Sequence, residues 1–266
     1  MYWRRRGKRR VIATKGSHYS VSKAAYILGM DYREYSIEEI IDNVDPSDVV
    51  VATMGKTETG FVDDVDIIYD RVREKGSAIH IDAAYFGSIA RFVLRKDLHL
   101  DEFMATFAVD LHKIPESPPP AGVLFAFSEE VIEDLWFESP YLPGKRQFGI
   151  LGTRPGCSVF ASSVALRIVM EEWPEGPSGL ARDLNSVIND IVRDLSRVGF
   201  DSVGGPAPIK CIKHKYIDKI RKYLEDKGYR VYSCLGNGIR IVAMPHNIWQ
   251  GYKWIKDALI TAAEEG

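Results

Sequence analysis

The sequence predicts an α/β fold followed by a smaller α+β module, and three observations carry that prediction. Between residues 11 and 173, short apolar runs alternate with stretches of helix length, the pattern of a sheet covered by helices. One of those runs, DVVVATM (48–54), is apolar at consecutive positions, as strands buried on both faces are. A cluster of proline, glycine and serine, PEGPSG (174–179), then breaks the pattern. With 266 residues the chain can bury an ample core in both parts.

In order, VIAT (11–14) reads as a strand and SVSKAAYILG (20–29) as a helix closed by Gly29. DVVVATM follows as a buried strand, and VDDVDIIYDRVREKG (62–76) as an amphipathic helix with Gly76 at its C-cap. SAIHIDA (77–83), TFAVD (106–110) and AGVLFAF (121–127) continue as strands. SVFASSVALRIVMEEW (158–173) is a long helix rich in small and apolar residues, of the kind that crosses a core. Beyond the linker at 174–179 the pattern gives a helix (180–198), a strand near 207–213 and a helix (216–228). The strands YRVYS (229–233) and GIRIVAM (238–244) and a last helix (247–264) complete it. The expected division is a large domain over 1–173 and a small α+β domain over 174–266.

Composition narrows the function. A net charge of −2 argues against a general binder of nucleic acid or anionic membrane, which needs a basic excess. No apolar run approaches the roughly 18 residues of a membrane span, so a soluble protein is expected. The basic start, MYWRRRGKRR, could touch nucleic acid or lipid, but reads more simply as a solvated helix end. Cys157, Cys211 and Cys234 lack metal-type spacing, and three reduced thiols in a cytoplasmic protein is the simplest reading.

The chemistry gathers at strand ends, where α/β sheets place their ligands. Lys113 lies just past one strand, beside His112 and before the proline-rich IPESPPP; a partly desolvated lysine there can form an imine with an aldehyde. Asp82 ends an apolar strand, where a carboxylate needs a cationic or N–H partner. A protonated pyridine nitrogen is one such partner; capping of the following turn is another. His80, Asp82, Asp110 and His112 could instead form a metal site, although Ala83 and Ala84 suggest the close approach of a flat ligand. His18 could stack on a planar group or be structural. The loops in ATMGKTETGFVDD (52–64) and GTRPG (152–156) each precede a helix and could meet an anion or simply turn the chain.

Taken together and in order, SHYSVSKAAYILGM, VATMGKTETGFVDD, HIDAAYFG, DLHK, AGVLF, GTRPG and RIVAMPH resemble the group II pyridoxal-phosphate-dependent amino-acid decarboxylases. The archaeal tyrosine/aspartate branch is the most similar, and the resemblance runs from about residue 11 to the C-terminus. It implies a fold-type-I, aspartate-aminotransferase-like architecture with pyridoxal 5'-phosphate as cofactor. Lys113 would carry the cofactor covalently and Asp82 would hold its pyridine nitrogen protonated. Ala84 would pack against one face of the ring and His18 would stack on the other, with a share in catalysis. His112 would neighbour the lysine and the phosphate, and Thr57 would contact the cofactor from the Gly-x-Thr loop. Thr153 would reach the phosphate of a second subunit, which makes a homodimer part of the expectation.

The resemblance also implies a long region ahead of this chain's start, containing a serine/glycine-rich phosphate loop, so the sequence reads as N-terminally truncated or completed by a separate N-terminal chain. A second departure is Lys56, where the family commonly has a hydroxyl residue. The expected reaction is decarboxylation of an L-amino acid, tyrosine to tyramine or aspartate to β-alanine, with release of carbon dioxide. The alternatives are a carbon–carbon lyase of the same fold, similar to sphingosine-phosphate lyase, and a non-catalytic or partner-requiring remnant.

Overall fold

The computed structural model describes residues 1–98, 100, 105–250 and 252–265. Its first half runs α1 (Tyr2–Arg5), β1 (Arg10–Thr14), α2 (Tyr19–Ile27), β2 (Asp31–Tyr35), α3 (Ile37–Asn43) and β3 (Asp48–Thr53). There follow α4 (Val65–Glu74), β4 (Ala78–Asp82), α5 (Ala90–Leu94), β5 (Ala105–Val109) and β6 (Val123–Ala126). These strands form one sheet in the order β2-β1-β3-β4-β5-β6, parallel throughout except for β6. Every residue of β3 is buried, which is why its run reads as continuously apolar. The edge strand β2, DYREY, is half solvated and polar, so the hydropathy pattern does not announce it.

Side chains alternate across a strand, and the sheet uses both faces. Ile12, Val50, Ala52, Ile79 and Ile81 belong to one core; Val11, Ala13, Val49, Val51 and Ala78 belong to a second. The second core also takes Tyr2 and Trp3 from α1. The basic start is therefore only partly a solvated helix end: Arg4, Arg5 and Arg9 are exposed, while Tyr2, Trp3 and Lys8 are buried. Arg6 pairs with Asp134 at 2.7 Å and Glu130 at 3.0 Å, Arg10 with buried Asp48 at 2.7 Å, and Lys8 donates to the carbonyls of Pro46 and Gly76.

After β6 come α6 (Glu129–Glu133), a hairpin of β7 (Trp136–Glu138) and β8 (Arg146–Phe148), and α7 (Gly156–Arg167), which continues into a π-helical turn over Ile168–Glu172. The expectation that this helix crosses a core is corrected. Val159 and Phe160 are 70% and 72% exposed, and Val164, Leu166 and Met170 also face outward. The linker reading is corrected too: α8 (Gly176–Ser196) begins inside PEGPSG, with proline in its first turn, where its missing N–H costs nothing.

The remainder is β9 (Asp201–Val203), β10 (Ile209–Lys213), α9 (Ile217–Asp226), β11 (Ser233–Cys234), β12 (Gly238–Val242), α10 (Pro245–Gln250) and α11 (Lys253–Glu265). The four strands form an antiparallel sheet, β11-β12-β10-β9. Of the predicted strand YRVYS only the end pairs: Ser233 faces Ile239, and the Tyr232 carbonyl accepts the Arg240 N–H at 2.8 Å. Cys211 and Cys234 are joined in a disulfide, which corrects the reading of three reduced thiols; Cys157 is free and exposed. No helix among the described residues is long and apolar enough to cross a membrane.

Candidate active site

The carboxyl ends of β3, β4 and β5 converge because parallel register sets Thr53 beside Asp82 and Asp82 beside Ala108. The tight turn after β5 then brings Lys113 back over Asp110, its backbone N–H donating to the Asp110 carbonyl at 3.0 Å. A cavity of about 850 Å³ opens at this edge. Its polar end is lined by His18, Thr57, Asp82, Asp110, Lys113 and Arg240, with Ala84 between the carboxylates. Its other end is apolar, lined by Tyr2, Trp3, Leu28, Val49, Val51 and Leu135.

Within the polar end, Lys113 Nζ lies 2.9 Å from Asp110 Oδ2. Asp82 Oδ1 accepts the Ala84 N–H at 3.2 Å, and among the described residues no cation pairs with this carboxylate. The Ala84 carbonyl in turn accepts the Asp110 N–H at 2.9 Å, which ties the two strand ends together. His18 is the N-cap of α2, its Nδ1 accepting the Ser20 N–H at 3.3 Å. Burial, and then the nearby Lys113 charge, hold its pKa below the ordinary 6.5, so the ring is neutral at pH 7. His80 is held below its ordinary value chiefly by burial, with its Nδ1 2.9 Å from the Thr106 hydroxyl.

Of the seven residues that the resemblance places at the cofactor, five meet in one cavity, His18, Thr57, Asp82, Ala84 and Lys113, and His80 and Asp110 line it too. Two do not line it. His112 turns its Nδ1 to the Ala121 carbonyl at 2.7 Å, with Nε2 3.6 Å from Asp110. Thr153 is exposed in the segment between β8 and α7, and the neighbouring Arg154 folds back onto Phe148, donating to its carbonyl at 2.7 Å. A metal reading gains no support from the geometry, since no three ligating side chains cluster among the described residues.

Arg240 was not anticipated. With Lys113 it is the only lysine or arginine among the described lining residues, and it donates to the Thr57 carbonyl at 3.4 Å. Its signal in the sequence is a single charge inside the apolar run GIRIVAM, which a strand reaching a site from a second sheet would carry.

Pyridoxal phosphate is tested by this donor set. It needs an amine for its aldehyde, an unpaired carboxylate for its pyridinium and a flat neutral surface for its ring. Lys113, Asp82 and His18 are of those three kinds and share one cavity.

Comparison with known proteins agrees. Residues 6–142 match the model of the pyridoxal-dependent decarboxylase conserved domain. A Halobacterium salinarum protein named probable L-aspartate decarboxylase is 29% identical over 245 residues, covering 89% of this chain and 68% of that one. A Methanothermobacter thermautotrophicus protein named probable L-tyrosine/L-aspartate decarboxylase is 30% identical over 259 residues, covering 90% and 70%. Among solved structures, a Burkholderia pseudomallei sphingosine-1-phosphate lyase superposes with a TM-score of 0.83 at 17% identity, covering 99% of this chain and 66% of that one. Lactobacillus brevis glutamate decarboxylase gives 0.81 at 17%, covering 99% and 70%. At that identity the two structures speak for the fold alone, which is fold type I, and this chain spans about two thirds of the length of the proteins it matches. A family match over more than half of the chain, together with a relative 30% identical over most of its length, leads to one assignment: the chain belongs to the pyridoxal-dependent decarboxylase family, whose cofactor is pyridoxal phosphate.

Proposed function

We propose that this protein decarboxylates an L-amino acid, releasing carbon dioxide and the corresponding amine, and that aspartate is preferred over tyrosine. The observation that carries the reading is the meeting of Lys113 with a cation-free Asp82 in one cavity. Lys113 would hold the cofactor through its aldehyde, and Asp110, 2.9 Å from the amine, would orient it beforehand. Asp82 would keep a proton on the pyridine nitrogen, and His18 and Ala84 would flank the ring. Thr57 would contact the cofactor from its loop, and Thr153 and His112 would act at the phosphate side once a second subunit completes the site. When bound, the cofactor supplies the electron sink for the departing carboxylate.

Arg240 supports the choice of aspartate. The carbon dioxide comes from one carboxylate, and a second, on the side chain, needs a cation that is not engaged with the cofactor.

The exposed apolar surface of α7 supports a homodimer, because a patch of this kind is rarely left to solvent. The apolar end of the cavity suits a hydrophobic segment of polypeptide, which a separate N-terminal chain could supply. Residues 1–173 would form the cofactor-binding domain and 174–266 the small domain. A cytoplasmic location is part of this proposal.

The test is a visible-absorbance titration with pyridoxal phosphate, beside Lys113→Ala, followed by assay of carbon dioxide release from aspartate and tyrosine. A lysine-dependent band with release from either substrate supports the reading. Absence of the band sinks autonomous cofactor binding.

A further inference from the structure

Lys56 stands at the position where a hydroxyl residue is expected, in the turn between β3 and α4. Its ammonium lies 2.8 Å from Asp63 Oδ1 and donates to the Lys15 carbonyl at 2.7 Å. The Asp63 side chain is only 3% exposed. Its Oδ2 accepts the Thr53 N–H at 2.7 Å and the Thr14 hydroxyl at 2.5 Å. Thr53 is the residue in register with Asp82, so this ion pair adjoins the strand end that carries the site. A carboxylate this deeply buried is costly without a compensating cation, and Lys56 is the cation it has.

The same turn is also where the two sheets meet. It closes on itself, with the Gly55 and Lys56 N–H groups both donating to the Phe61 carbonyl. Its outer edge is taken up by the other sheet's segments. Arg240 donates to the Thr57 carbonyl, and Glu58 accepts the Leu235 N–H at 2.9 Å. The Thr59 carbonyl accepts the Gly205 N–H at 2.8 Å, and the Gly60 carbonyl the Ala207 N–H at 3.1 Å. There is no slack: a Cβ on Gly60, whose φ is +68°, would fall 2.7 Å from the Ala207 carbonyl oxygen, and one on Gly205 would fall 2.4 Å from Phe61 Cα.

We propose that Lys56 is a positioning residue: held between Asp63 and the Lys15 carbonyl, it locks the Gly55–Phe61 turn in the one seat that brings Thr57 and Arg240 together at the mouth of the cofactor site. A hydroxyl side chain has neither the charge nor the reach to hold both anchors. The role assigned to Thr57 rests on the function proposed above; the mechanical role of Lys56 does not.

The experiment compares wild type, Lys56→Met, Lys56→Arg and the double variant Lys56→Met/Asp63→Asn, which removes both charges. Hydrogen exchange is followed on the cofactor-free proteins, and pyridoxal phosphate affinity by absorbance. In Lys56→Met the amides of Gly60, Gly205 and Ala207 should exchange faster and cofactor affinity should fall, each by on the order of tenfold, as when a supporting partner of a ligand is lost. Lys56→Arg should return both values towards wild type, whereas the double variant, which relieves the buried charge but has no side chain to bridge the two anchors, should stay impaired. Wild-type exchange and affinity in Lys56→Met would overturn the proposal, and so would a double variant that recovers, which would leave Lys56 a charge compensator only. If no form binds pyridoxal phosphate, the cofactor reading fails by itself while the exchange data still decide the role of Lys56.

Discussion

Replacing Arg240 by methionine should change which amino acid the enzyme prefers. Arg240 and Lys113 are the only lysine or arginine side chains among the described residues lining the cavity, and Lys113 is the one proposed to hold the cofactor. A hydrogen bond to a charged group contributes about 1.5–3 kcal/mol net. At about 1.36 kcal/mol per tenfold, kcat/KM for aspartate should fall by roughly 10- to 150-fold. Arg240 also bonds the Thr57 carbonyl and lies over the Tyr232 ring at 5.3 Å, so some of the loss is shared by any substrate. By the same figures the Thr57 bond contributes up to about 3 kcal/mol and the partly exposed cation–π contact about 0.5–1 kcal/mol, so the shared loss can be as large as the substrate-specific one. The ratio of aspartate to tyrosine turnover, measured as carbon dioxide release under identical cofactor saturation, is therefore the informative quantity. It should drop several-fold or more, and Arg240→Lys should give an intermediate ratio, since an ammonium keeps the charge but loses the planar fork. An equal fall for both substrates would refute the assignment and leave Arg240 a purely structural residue.

Three further outcomes follow from the same structure. His80 has its pKa held below 6.5 by burial, so it stays neutral in the fold while the unfolded chain takes up a proton. Its contribution is then complete above about pH 6.5 and is lost as the pH falls towards the folded value, with a slope of at most about 1.4 kcal/mol per pH unit. Urea unfolding between pH 7 and pH 5 should show that decline, and His80→Gln should flatten it; equal slopes would contradict the argument. The Cys211–Cys234 disulfide spans 23 residues, and opening a loop of that size costs about 3 kcal/mol. A reductant or the Cys211→Ser/Cys234→Ser pair should lower the unfolding midpoint by a matching amount, and an unchanged midpoint would show the bridge to be idle. Phe160→Glu, on the exposed face of α7, should convert a dimer into a monomer in sedimentation; unchanged mass would move the interface elsewhere.

The legible parts of the sequence were those in which one residue's environment is decided by its own strand. DVVVAT is buried on both faces and reads so, and Asp82 and Lys113 announce themselves by standing at the ends of such runs. What escaped was decided by a second element. The strand DYREY is polar because it is an edge, and α7 reads as a core helix although its apolar side chains Val159, Phe160, Val164 and Leu166 are exposed among the described residues. Tyr2 and Trp3 are buried by a sheet face formed from β1 and β3, which the arginines around them conceal. Arg240 belongs to the cavity only because the second sheet is docked beside the first, a relation between distant segments that no local period encodes. The cysteines likewise pair across two strands separated by a helix.

The division of the site between two sheets has a consequence for how the enzyme can change. Asp82 and Asp110 are fixed by the parallel ladder and its strand-end bonds, and Lys113 by the turn that follows. Arg240 comes from the antiparallel sheet, whose place is set by contacts far apart in sequence. The buried Tyr85 hydroxyl donates to the Ala243 carbonyl at 2.5 Å and lies 3.3 Å from the Pro208 carbonyl, and Glu116 holds His246. A substitution at these docking contacts would shift Arg240 relative to Lys113 without touching a cofactor residue, and a misplacement of about 1 Å at a reacting centre can cost roughly a hundredfold. Substrate choice should therefore be open to change from the seating of the second sheet while Asp82 and Lys113 stay in place, with the Thr57 turn the one point at which the same seating also reaches cofactor affinity.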